Sequence, residues 1–137
     1  MQFFFIVYFC LLLTIVNGEV VNKDDIKYLS FNDTNYYGQY LHKYENILLY
    51  FTANWSDDSH SKKQNFLNIK NDELTHMILA QKKSNYLIIG EVDSKSYKIC
   101  HEYDIQKYPS IVLVEGSKYI KYKGDFETES ILHWLKQ

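Results

Sequence analysis

An α/β fold with a mixed central sheet is predicted by three observations. Three continuous apolar runs of strand length, Ile47–Phe51, Tyr86–Ile89 and Ile111–Val114, are spread along the chain. Such runs suit strands buried on both faces. Segments with apolar residues at helical spacing separate them. After the third run, Glu115-Gly116-Ser117 reads as a turn, and the alternating stretch Lys118–Lys123 pairs back as a hairpin. The order is therefore β-α-β-α-β-α-β-β-α. Buried strands joined through a helix imply right-handed crossovers and parallel pairing, and the closing hairpin adds antiparallel strands.

Each element has a local reason. Residues 1–18 carry no charged side chain, and Phe3 to Val16 is apolar apart from Thr14, with the small Gly18 following. This predicts a secretory signal peptide cut after Gly18. The run is about 14 residues, short of the ~20 that a spanning helix needs. One domain then covers residues 19–137. Ile26–Leu29 alternates and reads as an edge strand. Asn32-Asp33-Thr34 offers capping side chains to a first helix in which Tyr36, Tyr37, Tyr40 and Leu41 recur at helical spacing. The strand from Ile47 ends near Thr52. Ser56 followed by Asp57 and Asp58 opens the second helix, because the hydroxyl accepts from orphan N–H groups and the acids complement the helix dipole. Phe66, Leu67, Leu74, Met77 and Ile78 give that helix an apolar face to about Ala80, with a break near Asn71-Asp72. The strand from Tyr86 ends at Glu91-Val92-Asp93. Ser94–Tyr103 is a short helix with Tyr97, Cys100 and Tyr103 on one side. Ser130–Leu135 is a closing amphipathic helix.

Composition excludes several functions. Fifteen basic against 17 acidic residues, a net charge of −2, give no field that selects nucleic acid or an anionic membrane. Cys10 leaves with the signal peptide, so Cys100 stands alone and no intramolecular disulfide forms. The five histidines lack the spacing of a metal site, and Asp57-Asp58 lacks the oxygens of a calcium loop. No metal and no cofactor are expected. Asn32-Asp33-Thr34 and Asn54-Trp55-Ser56 are glycosylation sequons. The tryptophan inside the second lowers its occupancy, so Asn32 is the favoured site and enzymatic deglycosylation is expected to shift the protein by one glycan, not two.

Three segments carry a family resemblance. Residues 47–59, ILLYFTANWSDDS, resemble the strand and active-site turn of protein disulfide isomerase domains, where the pattern ends Phe-Tyr-Ala-Pro-Trp-Cys-Gly-His-Cys. Residues 100–110, CHEYDIQKYPS, resemble the segment leading to that family's cis-proline. Tyr122, Gly124, Leu132, Trp134 and Leu135 resemble its last hairpin and helix, and Val92-Asp93 the end of its third strand. The resemblance runs from about Ile26 to Leu135. It implies a thioredoxin fold, with Pro109, the single proline, in cis and facing the Trp55–Ser59 turn.

The same resemblance implies that dithiol chemistry is gone. Family members exchange disulfides through a low-pKa cysteine at a helix N-terminus. Their two cysteines fall here on Ser56 and Ser59, their strand acid on Tyr50, the proline before the tryptophan on Asn54, and the helix proline on Gln64. Asp57 and Asp58 fill the central positions, where they raise the pKa of any neighbouring thiol. Ser56, Ser59 and His60 form no serine hydrolase either, because the flanking glycines of a nucleophile elbow are absent and His60 diverges from Ser59 on a helix.

The function expected is that of a redox-inactive, non-enzymatic secretory-pathway protein that binds polypeptide clients, with no nucleic-acid or membrane partner. By the resemblance, the peptide-binding residues are Trp55, Lys107, Tyr108 and Pro109, beside the cis-proline loop, where extended chain pairs with backbone. Two alternatives are retained. One is a calsequestrin-like calcium-storing protein: calsequestrin is also built of cysteine-free thioredoxin folds, and Tyr122-Lys123-Gly124-Asp125-Phe126 resembles its domain ending, although that role calls for a strongly acidic surface. The other is residual isomerase activity through Cys100. The ending Trp134-Leu135-Lys136-Gln137 carries no Lys-Asp-Glu-Leu-type retrieval motif, so either secretion or retention through a partner is expected.

Overall fold

The computed structural model of the chain describes residues 13–16, 19–22, 27–41, 46–72, 75 and 87–137. Of the expected leader only 13–16 is described. It forms β1 (Leu13–Val16), antiparallel to β2 (Glu19–Asn22). The main sheet holds β3 (Lys27–Phe31), β4 (Asn46–Thr52), β5 (Leu87–Asp93), β6 (Ser110–Glu115) and β7 (Lys118–Lys121) in the order β3-β5-β4-β6-β7. β5 pairs in parallel with β3 and β4, whereas β6 is antiparallel to both β4 and β7. The element order and the mixed sheet are those the patterning predicts.

β4 explains its own sequence. All seven of its residues are buried, because β5 and β6 flank it and helices cover both faces. Leu48 and Tyr50 face one way, into a core shared with α2 (Asp57–Asn71) and α4 (Thr128–Lys136). Ile47, Leu49 and Phe51 face the other, into a core shared with α1 (Asp33–Asn35, continued over Tyr36–Tyr40) and α3 (Tyr97–Glu102). A strand of period two that is buried on both sides shows no polar alternation.

Several boundaries differ from the sequence expectation. The first helix, α1, is a single α-turn over Asp33–Asn35 that continues as a π-helix over Tyr36–Tyr40. The Leu41 N–H bonds the Tyr36 carbonyl five residues back, at 2.9 Å. The wider turn sets Tyr36 into the core, with Tyr37 and Leu41 packed beside it. α2 stops at Asn71: Asp72 is extended, its N–H bonds the Ile69 carbonyl at 3.2 Å, and Thr75 Oγ1 caps the same carbonyl at 2.8 Å. The expected continuation through Leu74, Met77 and Ile78 lies outside the described residues. Tyr97 is 76% exposed and does not join Cys100 and Tyr103 on the core side of α3. The buried stripe there is Ser96, Ile99, Cys100 and Tyr103, the i, i+3, i+4, i+7 pattern, and Tyr97 falls one residue off it.

Two glycines are required by their surroundings. At Gly90 a Cβ would lie 2.0 Å from the Phe31 ring, which is itself buried. Gly116, at φ +62°, opens the two-residue loop between Glu115 and Lys118, the II′ arrangement that matches strand twist.

Candidate functional site

Two loops build the site at the C-terminal end of β4. After Thr52 the chain makes a turn in which Asn54 and Trp55 are exposed, closed by the Ser56 N–H to the Ala53 carbonyl at 3.0 Å. Ser56 then caps α2, accepting from the Ser59 N–H at 3.1 Å. The Ser56 hydroxyl also donates to the Tyr108 carbonyl at 3.2 Å, across to the loop before β6. The Tyr108–Pro109 peptide bond is cis. The Trp55 and Tyr108 rings meet edge to face, with centroids 5.7 Å apart at 86°, a favoured aromatic geometry. Trp55 is nonetheless 74% exposed. Trp55, Ser56, Tyr108 and Pro109 are thus brought together.

The other expected site residues take different places. Ser59 is fully buried, and its hydroxyl has no hydrogen-bond partner among the described residues. The Ser59 carbonyl accepts from the Tyr50 hydroxyl at 2.6 Å. Tyr50 therefore occupies the strand-acid position as a structural group, holding the first turn of α2 while its ring stacks on Phe66 at 4.8 Å. Lys107 is exposed and lines a groove with Pro109. Asn54 is exposed in the same turn as Trp55, and Asn32 is exposed at the start of α1, where its side-chain oxygen accepts from the Asn35 N–H at 2.8 Å.

Sequence reasoning missed two contacts. Tyr108 donates its hydroxyl hydrogen to Cys100 Sγ at 3.5 Å, which joins the proline loop to α3. Glu91, read only as a strand end, is in register with Tyr50. Its carboxylate takes Lys63 of α2 at 2.7 Å and the Tyr28 hydroxyl. The spacing of 63 residues between Tyr28 and Glu91 leaves no local signature for that contact.

Burial dominates the electrostatics of the thiol and the phenols. Burial pushes the Cys100 thiol up, and the Tyr108 hydrogen bond only partly offsets this. Burial also pushes up the hydroxyls of Tyr28, Tyr36, Tyr50, Tyr103 and Tyr108, and raises Tyr37 to about 12. The unfolded chain begins to release these tyrosine protons near pH 10 while the folded chain still holds them. Stability is therefore fully present below pH 10 and is expected to fall as pH rises toward 12. Urea midpoints measured across pH 8–12 check this; a midpoint constant over that range would contradict it.

Ser56→Ala is expected to cost about 1–2 kcal/mol, because it removes the α2 cap and the bond to Tyr108 together. Urea unfolding reads the change, and a loss of only a few tenths would show that neither bond matters.

Among the described residues no group of three His, Cys, Asp or Glu side chains is placed to hold a metal ion. No helix among them is long and apolar enough to cross a membrane.

Comparison with solved structures gives the same fold. Human ERp44 in a zinc-bound form superposes with a TM-score of 0.63 at 19% identity, over 79% of this chain and 30% of that one. The J-Trx1 fragment of ERdj5 gives 0.61 at 18% identity, over 81% and 51%. The first thioredoxin domain of mouse protein disulfide-isomerase A4 gives 0.61 at 18% identity, over 90% and 77%. The chain thus spans under a third of ERp44 and about half of the ERdj5 fragment. The five-stranded mixed sheet with helices on both faces is a thioredoxin fold of the kind found in protein disulfide isomerase domains. No curated protein sequence matches the chain. The calsequestrin family model matches residues 18–137, nearly the whole chain, and this chain belongs to the calsequestrin family.

Proposed function

We propose that this protein is a secretory-pathway binding module for unfolded polypeptide, without dithiol chemistry. The observation that carries the reading is the exposed Trp55 standing against Tyr108, beside a loop with free donors. The N–H groups of Lys107 and Tyr108 have no hydrogen-bond partner among the described residues. An extended client supplies carbonyls to such donors and lays its side chains on the indole, the mode of strand addition. The Tyr108 carbonyl already accepts from Ser56, so pairing runs mainly through the donors. Ser56 and Ser59 leave no thiol in the turn, and the buried, raised thiol of Cys100 is a poor nucleophile. Insulin reduction at the buffer rate, unchanged by Cys100→Ser, is the outcome this predicts.

Photo-crosslinking to a reduced, carboxymethylated polypeptide tests the binding role. Wild type is expected to crosslink and Tyr108→Ala to lose most of the product; identical yields would end the reading.

The family match favours a second reading, low-affinity calcium storage. A balance of −2 over 137 residues is weak for it. Equilibrium dialysis showing many sites of millimolar affinity would place storage first.

A further inference from the structure

Beside the proline loop lies an open groove of about 780 Å³. That is within the range of ligand clefts, roughly 300–1,000 Å³. It runs between the segment that enters β6 and the segment that leaves β7. Neither Trp55 nor Tyr108 lines it. Asp104, at φ +51°, turns the chain out of α3 and begins one wall. Pro109 and Phe126 supply apolar surface.

The charges are lopsided. Lys107, Lys121 and Lys123 line the groove against the single acid Asp104. Lys121 is already engaged, 3.7 Å from the Asp104 carboxylate and donating to its backbone carbonyl. Lys107 and Lys123 are exposed and meet no carboxylate among the described residues. Two exposed ammonium groups with no carboxylate partner among the described residues therefore stand on the two walls of one groove.

We infer that this groove binds an acidic, extended polypeptide segment. The lysines stand on separate segments, before β6 and after β7, so they suit charges spread along a chain better than one compact anion. The long lysine stems, with Pro109 and Phe126, cover the peptide backbone, while the ammonium groups take its carboxylates. This groove adjoins the Trp55 face across the Lys107–Pro109 segment but does not use the indole.

Fluorescence anisotropy on the full chain tests the inference, with a labelled octapeptide rich in Asp and Glu and its Asn/Gln counterpart. Wild type is expected to bind the acidic peptide at least about tenfold more tightly than the neutral one. The Lys107→Glu/Lys123→Glu double variant is expected to lose about tenfold or more in affinity. Raising salt from 50 to 300 mM should weaken wild-type binding severalfold, since exposed charges are screened. Both substituted positions are exposed, so an unchanged melting temperature is expected and separates lost binding from lost folding. Trp55→Ala should bind the acidic peptide as wild type does. No preference for the acidic peptide, or an unchanged affinity in the double variant, would overturn the inference. So would an equal loss in Trp55→Ala. A wild-type dimer in sedimentation that the double variant dissociates would assign the groove to a second copy, and tripolyphosphate binding in place of the peptide would assign it to a compact anion; either result also overturns it.

Discussion

Trp55→Ala is expected to weaken the binding of a reduced, carboxymethylated polypeptide by about 2 kcal/mol, roughly thirtyfold in Kd. The indole is the largest exposed apolar group of the loop pair and is fixed edge-on by Tyr108. A rigid aromatic ring loses little conformational freedom when a client covers it, which is why such rings dominate interfaces. At 74% exposure the ring contributes little to the core. The melting temperature should therefore stay within a degree or two while affinity falls. Titration calorimetry gives the affinity and scanning calorimetry the melting temperature, and an unchanged Kd would remove Trp55 from the contact surface.

Tyr50→Ala is expected to cost about 3–5 kcal/mol of stability, the range for truncating a buried aromatic. Tyr50 is fully buried, stacks on Phe66, and bonds the Ser59 carbonyl. The truncation empties the space between β4 and α2 and frees the first turn of the helix that carries Ser56. Tyr50→Phe keeps the stack and loses only the hydroxyl, so it should cost about 1 kcal/mol. Guanidinium unfolding of the two variants separates packing from hydrogen bonding. Equal losses in both would place the stability in the hydroxyl and refute the cavity account.

The legible parts of the fold are those written in one strand or one turn. β4 and β6 are buried on both faces or close to it, and such strands print as unbroken apolar runs. Ser56 and the two acids after it mark a helix start in any context. The π-helix at Tyr36–Tyr40 was not legible, because tyrosines spaced for an ordinary helix fit a wider turn equally well. The end of α2 was only half legible: the Asn71-Asp72 break was visible, but not that Thr75 folds back onto the Ile69 carbonyl. Gly90 looks like a weak point in a strand until the Phe31 ring is seen to occupy the space of its Cβ.

The site divides in the same way. Trp55, Ser56 and Ser59 sit in one short turn, and Tyr108 and Pro109 in another, so a family frame aligned them. Lys107 came with them through the same family frame; that it also lines a groove with Lys123, from beyond β7, shows only in the folded chain. The bonds of Tyr108 to Cys100 and of Glu91 to Lys63 depend on how α3 and α2 cross the sheet, which no local pattern encodes.

The most direct measurement is an amide and indole chemical-shift map of the labelled protein titrated with a reduced, carboxymethylated polypeptide. The largest shifts are expected at the Trp55 indole N–H and at the amides of Lys107 and Tyr108, with little change along β3. A titration that leaves those three signals in place, or moves only residues on the far edge of the sheet, would contradict the binding role.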